Sequence, residues 1–510
     1  MHWIRSVHRK LATRSGLLLF LGGLILLWMV GYYTIGFLSS DEWTRYTRQL
    51  YFSRATLVLA VGFTFWTSIP LLHDFIRTST KTAVDLSIFR IVFFGFFVVG
   101  FFLAPTTLSR QLLPFLELPE SAQVSLPFMS WYPKVIPINE NLVRIALILF
   151  YCSIFTSFLG IKTRWSIVLF TLTAFYLFVI PNLYGKVNHN HELLWFPAIL
   201  AFSPCADRYS IDAYILKRQN RIIQHSTKAY TLPFVLIWML MGIIYFFPGF
   251  WKIWSNGLDW FLTDNVRNQL YYKWFALGDW LPFFRIDHYP LLYKLSGLYT
   301  VIFELFFIPL LFNKKTRVIA IFMGIGFHIG TWVFMNIFFI VVVLSYASFI
   351  NWHRFSWFKD VKSGTETTKG NPLVQWIGIG LIAFNTLFGF GKWNSWPFTV
   401  YPTFDTIVAE ETSHLVFVGE TDSGKRIDLP VQVLHDEYTS PRYGHLAHNL
   451  IQSQVENKLD TVLLDQFLTV FAKEFDQFKT IDVYIELRSI RPENKTALSR
   501  SFVYSKNFPF

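Results

Sequence analysis

"YTLPFVLIWMLMGIIYFFPGF" (residues 230–250) runs for 21 residues without a charged side chain. An α-helix of that length rises about 30 Å, which matches the hydrocarbon thickness of a bilayer. Similar apolar runs recur along the 510-residue chain, which is 53% hydrophobic and only 15% charged. Ordinary soluble domains carry about 25% charged residues. The sequence therefore predicts a polytopic α-helical membrane protein.

Eleven apolar runs are candidates for membrane spans. Two of them, 191–204 and 337–351, are short and can be tilted or re-entrant where protein covers them. The first run follows a basic N-terminal segment but lacks a small-residue cleavage pattern, so we interpret it as a retained anchor. In chain order the predicted spans are 15–38, 56–76, 86–105, 142–160, 165–182, 191–204, 230–250, 296–312, 318–336, 337–351 and 374–391.

The distribution of lysine and arginine predicts the orientation. The loop 205–229 carries five such residues, whereas the longer loop 106–141 carries only Arg110 and Lys134. Because basic loops stay in the cytoplasm, the N-terminus is expected inside and residues after the last span outside, in a bacterial plasma membrane. The formal net charge of +12 is interpreted in the same way. Nucleic-acid binding would require a basic footprint clustered on one soluble face, and it is not expected.

The chain changes character after the last span. The stretches "HLVFVG" (414–419) and "IDVYIELRSI" (481–490) alternate as strands do. Residues 443–456 and 460–475 have helical periodicity, and "TDSGKR" (421–426) contains turn residues. These patterns predict a small extracytoplasmic α+β domain at the C-terminus.

The same patterns divide the chain into four parts. The polar stretch "KDVKSGTETTKG" (359–370) is interpreted as a linker, and no internal repeat is found. The predicted parts are an N-terminal two-helix extension (1–84), a transmembrane core (85–355), a cytoplasmic linker with the last span (356–395) and the C-terminal domain (396–510).

Ionisable residues inside apolar runs are costly and indicate function. Glu304 stands alone in "YTVIFELFFIPLLF", so it is expected to face protein and to pair with Arg90, Lys252 or His328. Each of these residues also has a structural interpretation. Arg90 can snorkel, Lys252 can anchor its helix at the interface, and His328 can join two helices by a hydrogen bond.

A second polar cluster lies in "GKVNHNHELLWF" (185–196). The predicted topology places Lys186, His189 and His191 on the outer face with Lys252, and within reach of His328. Such a set supplies a general base, because desolvation lowers the pKa of a lysine. No metal site is predicted. His189 and His191 are two residues apart and share no helix face, and the two cysteines lie in or beside apolar runs.

Four ordered motifs resemble one known family. They are "LSIFRIVFFG" (86–95), "NHNHELLWFPAILAFSPCADRYSIDAY" (188–214), "YFFPGFWKIWSNGLDWF" (245–261) and "FHIGTWVFMNIFF" (327–339) followed by "SFINW" (348–352). The chain resembles the horizontally transferred transmembrane domain (HTTM) family over about 85–355. The characterised relative of that family is the vitamin K-dependent gamma-carboxylase.

The resemblance implies roles for particular residues. In the carboxylase, a lysine before an Asn-Asn-His stretch deprotonates vitamin K hydroquinone, so Lys186 is expected to be the base and a reduced quinone the cofactor. His191 matches the histidine of that stretch, and Lys252, His328 and Arg90 match residues of the other motifs. The expected catalytic residues are Lys186, His191, Lys252 and His328, and the expected cofactor-binding residues are Arg90, Asn190 and Glu304.

Several functions are consistent with these features. The first is a quinone- or lipid-linked enzyme that resembles the gamma-carboxylase. The alternatives are a non-catalytic transporter or lipid-binding scaffold, in which Lys186, Lys252 and Glu304 form an anion or proton site, and a membrane assembly factor. The C-terminal domain has no evident counterpart of the peptide-binding region of the carboxylase, which argues against a peptide substrate. The expected partners are the bilayer and a quinone or lipid ligand.

Overall fold

A computed structural model describes most of the chain. The residues that it does not describe are 1–13, 40, 79–80, 105–106, 124–128, 130, 186–189, 221–223, 359–366, 369, 399–403, 476, 495–496 and 509–510. Lys186 and His189, and most of the predicted linker, therefore lie outside the described residues.

The described part of residues 1–395 is mainly helical. Its first helices are α1 (Arg14–Leu38), α2 (Glu42–Thr78), α3 (Ala83–Leu103), α4 (Thr107–Leu112), α5 (Tyr132–Val135), α6 (Glu140–Leu159), α7 (Thr163–Asn182), α8 (Glu192–Phe202) and α9 (Ile211–Arg218). The next are α10 (Thr227–Asn256), α11 (Asp259–Leu262), α12 (Asn265–Ala276), α13 (Pro290–Phe312), α14 (Lys314–Met335), α15 (Ile340–Ser345) and α16 (Pro372–Phe390). Two-residue strands β1 (Gln224–His225) and β2 (Thr367–Thr368) pair in parallel.

Eight of the described helices are long and apolar enough to cross a membrane. They are α2, α3, α6, α7, α10, α13, α14 and α16, and each coincides with a predicted span. The described part of α1, helix α8 and the segment Ile340–Phe349 are apolar but shorter. The membrane class is therefore confirmed, whereas eleven full spans are not. The two runs that looked short in the sequence, 191–204 and 337–351, are short helices in the structure as well.

Helix ends follow local sequence signals. The side chain of Asn139 accepts a hydrogen bond from the amide of Leu142 at the start of α6. The same helix ends at Gly160, which has a φ of +70°. Glycine adopts this left-handed conformation without the steric cost that a Cβ would add. Asn336, with a φ of +50°, ends α14 in the same conformation. Such caps satisfy backbone groups that a helix terminus leaves without partners.

Helix α10 is the centre of the bundle. It contains the 230–250 stretch, is buried along most of its length and packs against α13, α16 and α2. Small residues allow these close approaches. A Cβ at Gly242 would lie 2.1 Å from Ile308 of α13, and a Cβ at Gly389 of α16 would lie 2.1 Å from the ring of Phe247. The 230–250 stretch is apolar all round, as is expected of a helix segment that other helices surround.

The C-terminal domain is a four-stranded antiparallel sheet with helices on one face. Its strands are β3 (Glu411–Thr421), β4 (Arg426–Asp428), β5 (Phe478–Ser489) and β6 (Ala497–Asn507), in the order β4-β3-β5-β6. Its helices are α17 (Gln432–Tyr438), α18 (Ser440–Val455) and α19 (Thr461–Glu474). Phe417 of β3 packs on Phe471 of α19, with ring centroids 4.7 Å apart.

The predicted elements of this domain are confirmed, and three more are present. The strands expected at 414–419 and 481–490 lie in β3 and β5, and the two predicted helices match α18 and α19. The turn at 421–426 connects β3 to β4. Sequence analysis missed β4, β6 and α17. Strand β6 is almost entirely exposed, so it lacks the apolar alternation that indicates a strand.

The C-terminal domain contacts one end of the helix bundle, which we call the docked end. Arg488 of β5 donates to Asp279, and the Arg267 guanidinium of α12 lies 2.9 Å from a carboxylate oxygen of Glu410. Ser440 donates to the carbonyl oxygen of Ala276 at 2.8 Å. These contacts come from the segment between α10 and α13, so the domain lies over the part of the bundle where those helices meet.

Candidate functional site

A cavity of about 340 Å³ lies inside the bundle near the docked end. Helices α10, α13 and α14 form most of its wall, and α11, α12, α15 and the segments before α13 and β3 contribute the rest. The wall is largely apolar. The ionisable and amide side chains in it are those of Lys252, Glu304, His328, Tyr245, Tyr299 and Gln269.

Lys252 and Glu304 form a buried ion pair in this wall. The ammonium nitrogen lies 2.8 Å from both carboxylate oxygens, and the two side chains are only 3% and 5% exposed. The ammonium also lies 5.1 Å from the centre of the Trp260 ring, a cation–π contact. Desolvating two charges costs as much as their attraction returns, so a pair of this kind contributes little to stability and suggests a function.

His328 belongs to a hydrogen-bonded chain of three rings. Its Nε2 lies 2.7 Å from the hydroxyl of Tyr245, which lies 3.0 Å from the hydroxyl of Tyr346. A Cβ at position 324 would lie 1.8 Å from the Tyr346 hydroxyl, so Gly324 makes room for this tyrosine. The chain connects α14 to α10 and to the 3₁₀ turn Tyr346–Phe349. It fixes the imidazole on the cavity side of α14.

The segment 404–410, which we call the strap, covers the cavity at the docked end together with α11 and α12. Phe404 of the strap lines the cavity. Side chains of the bundle donate to the carbonyl oxygens of the strap at 2.6–3.0 Å: Trp260 to Phe404, Asn256 to Asp405, Gln269 to Thr406 and Asn268 to Val408. Lys392 also lies 2.8 Å from the Asp405 carboxylate. The strap is therefore held along its length.

Comparison with known proteins identifies the membrane part of the chain. A family model described as the HTTM domain matches residues 79–357, which is more than half of the 510 residues. The chain belongs to the HTTM domain family. The match contains Lys252, Glu304 and His328, whereas the strap and the C-terminal domain follow it. Neither the curated proteins nor the solved structures contain a match to the chain.

Three of the predicted site residues meet in the HTTM domain. Glu304 pairs with Lys252, one of the three partners that the sequence suggested, and His328 lines the same cavity. Arg90 lies elsewhere. It is fully buried, and its guanidinium donates to the carbonyl oxygen of Tyr209 at 2.6 Å, at the end of the bundle opposite to the docked end. The cavity wall does not include Arg90 among its described residues, so the structure gives no support to its expected contact with a cofactor.

The polar cluster at 185–196 is only partly described. His191 is buried, and its ring lies 5.7 Å from that of Trp195 and 4.9 Å from that of Trp396. Asn190 has a φ of +71° in the turn before α8. The described lining of the cavity includes neither residue. The roles expected for Lys186, His191 and Asn190 remain predictions.

Sequence analysis missed the tyrosines and the strap. Tyr245 precedes Lys252 by seven residues, which places both side chains on one face of α10 two turns apart. That spacing is a usable signal, although "YFFPGFWK" looks like ordinary apolar sequence. Nothing in the composition of 404–410 indicates that it covers a cavity.

Among the described residues, Asp287, His288 and Glu493 lie close enough to one another to hold a metal ion. Both carboxylates are already paired with Arg285, because its guanidinium bonds to Glu493 and lies 2.7 Å from Asp287. Tyr271 also donates to Asp287 at 3.0 Å. This group therefore acts as an ion-pair network that attaches the C-terminal domain to the segment before α13.

Replacing Gly249 by alanine is expected to lower the free energy of unfolding by about 1–3 kcal/mol, because the added methyl group overpacks the site. A Cβ at position 249 would lie 2.7 Å from the Cβ of Glu304 and 3.3 Å from its Oε2. Helix α13 must then move away from α10 and stretch the ion pair. Thermal unfolding of the purified protein in detergent measures the effect.

Gly380 of α16 provides a matched control. A Cβ there meets nothing within 4 Å, so Gly380→Ala is expected to leave stability unchanged or to raise it by up to about 1 kcal/mol through helix propensity. Equal melting temperatures for Gly249→Ala and Gly380→Ala would show that the approach of α10 to α13 is not tight.

Proposed function

We propose that this HTTM protein is a membrane enzyme that removes a proton from a lipid-soluble substrate such as a reduced quinone. The buried Lys252–Glu304 pair in the wall of the cavity is the observation that carries the proposal. The HTTM family is associated with the gamma-carboxylase, whose reaction begins with deprotonation of vitamin K hydroquinone. The cavity volume lies within the range of about 300–1,000 Å³ that is usual for small-molecule sites.

The ion pair has the chemistry that such a step requires. Glu304, as a carboxylate, accepts the proton of an acidic hydroxyl group and becomes neutral. The Lys252 ammonium then stands beside the new substrate anion and stabilises it. One anion replaces another in contact with the same cation, so the buried site never holds an uncompensated charge. In an apolar cavity this electrostatic stabilisation is far stronger than in water.

His328 and Tyr245 supply polar contacts next to the pair. Their hydrogen bond holds the imidazole in place, and both side chains line the cavity. A ring with two oxygens at opposite edges, as in a hydroquinone, can direct one oxygen towards the ion pair and the other towards this polar group. The apolar remainder of the wall accepts the ring faces.

Lys186 is the second candidate for the base, on the family resemblance. It lies outside the described residues, so geometry does not rank it against Glu304. A Lys186→Arg variant keeps the positive charge but cannot deprotonate under working conditions. Lost turnover in this variant, with normal expression and folding, would assign the base to Lys186.

The direct test uses reduced vitamin K as the probe. The purified full-length protein is reconstituted in air-equilibrated phosphatidylcholine vesicles. Dissolved oxygen is the oxidant and reacts with the hydroquinone anion, so consumption of the hydroquinone by oxidation is followed against protein-free vesicles. Catalysed consumption that Glu304→Gln abolishes supports the proposal. Saturable binding of the quinone without consumption would instead support the alternative, a non-catalytic lipid-binding scaffold or transporter. The apolar wall with one embedded ion pair suits an anionic lipid headgroup as well.

We also propose eleven membrane crossings, with the N-terminus in the cytoplasm and the C-terminal domain outside a plasma membrane. Loops rich in lysine and arginine converge at the end of the bundle opposite to the docked end, which supports this orientation. There the amides of Lys162 and Thr163 donate to Asp212, and Lys81 donates to the carbonyl oxygen of Ser348. With α1, α8 and α15 counted as crossings, the chain passes from end to end eleven times.

Cysteine labelling is expected to confirm this orientation. Ser423 in the β3–β4 turn and Asn220 after α9 are both exposed. In intact cells, a membrane-impermeant thiol reagent should modify Ser423→Cys and spare Asn220→Cys until the cells are opened. Both variants carry Cys152→Ser, because Cys152 is exposed in the wild type. Modification of Asn220→Cys alone in intact cells would invert the topology.

A further inference from the structure

We propose that the cavity opens sideways into the hydrocarbon of the membrane, through the seam between α13 and α14. Its ligand would then enter from the bilayer, as an amphiphile with a polar head at the Lys252–Glu304 pair and an apolar tail along the seam. This inference rests on the proposed function for the role of the head, and it adds the route and the shape of the ligand.

Gly326 is the point at which the cavity reaches the outside of the bundle. It lines the cavity and is also exposed. Its neighbours on the same face of α14 are Phe322 and Ile329, which are 69% and 53% exposed. Residues three and four positions apart share a helix face, so Gly326 lies on the outward face of this helix. Glycine places no side chain over the cavity at this point.

The walls beside this opening consist of small side chains. Ser296 and Thr300 of α13 and Gly330 and Thr331 of α14 all line the cavity and are half-buried. A Cβ at Gly330 would meet nothing within 4 Å. Where two helices pack tightly, large side chains or backbone atoms of one helix fill the space beside small residues of the other. Here they leave a gap.

A tyrosine side chain bridges the seam. Tyr299 of α13 donates to the carbonyl oxygen of Met323 on α14 at 2.5 Å. Its hydroxyl lies 2.8 Å from the place that a Cβ at position 326 would occupy. The rings of Phe303 on α13 and Phe327 on α14 also pack across the interface between the two helices, 5.2 Å apart. A change in the rotamer of Tyr299 is therefore enough to widen the opening.

The strap closes the cavity on the other side together with α11 and α12. Four side chains of the bundle hold its carbonyl oxygens, and Phe404 and Trp260 present rings to the cavity. A water-soluble ligand would have to break these hydrogen bonds to enter at the docked end. A membrane-soluble ligand has only to displace the side chain of Tyr299.

Nitroxide labels test the route without reference to turnover. The full-length Cys152→Ser protein carries one label at Gly330→Cys, Gly380→Cys or Ser423→Cys and is reconstituted in phosphatidylcholine vesicles. Gly380 is a half-buried glycine of α16 with open space around its Cβ, and Ser423 is exposed in the C-terminal domain. The rate at which the label collides with molecular oxygen measures its exposure to hydrocarbon. The rate at which it collides with a neutral nickel chelate measures its exposure to water.

The label at position 330 is expected to match that at 380 in oxygen access. Its access to the chelate should be at least about tenfold below that at 423, because a polar complex partitions poorly into an apolar environment. Adding Gly326→Trp should lower the oxygen access at 330 and leave that at 380 unchanged. The Cβ of the new side chain would approach only the hydroxyl end of the Tyr299 side chain.

Three results would overturn the proposal. Chelate access at 330 equal to that at 423 would show a cavity open to water. Low access to both reagents would show a closed cavity. If Gly326→Trp leaves the oxygen access at 330 unchanged, the label at 330 points directly into lipid and does not report on the cavity. None of these measurements depends on the identity of the substrate, so an inactive protein leaves the test of the seam intact.

Discussion

Glu304→Leu is expected to lower the free energy of unfolding by about 3–5 kcal/mol, the usual cost of breaking a buried ion pair from one side. The variant leaves the Lys252 ammonium 3% exposed and without the carboxylate that contacts it through both oxygens. The Trp260 ring remains beside it, but a cation–π contact returns only about 2 kcal/mol even when desolvated. Thermal or denaturant unfolding in detergent measures the loss.

The double variant Lys252→Met/Glu304→Leu separates this effect from simple disruption of packing. Two apolar side chains of similar length replace the pair, which is often neutral or stabilising by about 1–4 kcal/mol. The double variant should therefore be more stable than Glu304→Leu alone, and Glu304→Gln should lie between them. A double variant that unfolds as readily as the single one would mean that the pair is not isolated from water.

Glu304→Gln is expected to lower the turnover of reduced vitamin K by about 10²–10⁴-fold, the usual contribution of one acid–base group. The amide keeps the shape of the side chain and a hydrogen-bond acceptor for Lys252, but it does not take up a proton. Lys252→Met should lose turnover to a similar extent, since it removes the cation that stabilises the substrate anion. Hydroquinone consumption in vesicles, at matched amounts of folded protein, gives the ratio.

Lys252→Arg distinguishes the two members of the pair. Arginine keeps the positive charge and cannot act as a base, so residual turnover assigns the proton to Glu304 and complete loss assigns it to Lys252. The exposed pair of Arg144 and Glu140 on α6 is a suitable control, and Glu140→Gln should leave turnover unchanged. Full activity of both Glu304→Gln and Lys252→Met would contradict the proposed function.

The membrane fold could be predicted well because hydrocarbon imposes a simple rule. Long uncharged runs become helices, and the predicted span at 230–250 lies within the central helix α10. The C-terminal domain was harder. Strands β3 and β5 have apolar alternation and were expected, whereas β6 is exposed and β4 has three residues. Their places depend on pairing with β5 and β3, and single-sequence patterns do not encode partners.

Part of the site could also be predicted from the sequence. A lone glutamate in an apolar run must pair, and Lys252 was one of three candidates. The choice among them depends on how α10 and α13 cross. Gly249 permits that crossing by its close contact with Glu304 and Leu305, which lie 55 and 56 residues further along the chain. Arg90 was a reasonable candidate on the same rule. It pairs instead with a backbone carbonyl group at the other end of the bundle, and backbone carbonyls carry no sequence signature.

The way in which the strap is held has a consequence for how this architecture can diversify. Indole and amide side chains of the bundle bind its carbonyl oxygens, which every amino acid possesses. The membrane part thus recognises the course of the chain rather than its composition at these positions. Substitutions in the strap that preserve its path are expected to be tolerated, and unrelated soluble modules could be joined to the same bundle behind it. The surface of the bundle that binds the strap is therefore independent of sequence in the strap, although the C-terminal domain joined to it here is specific to this chain.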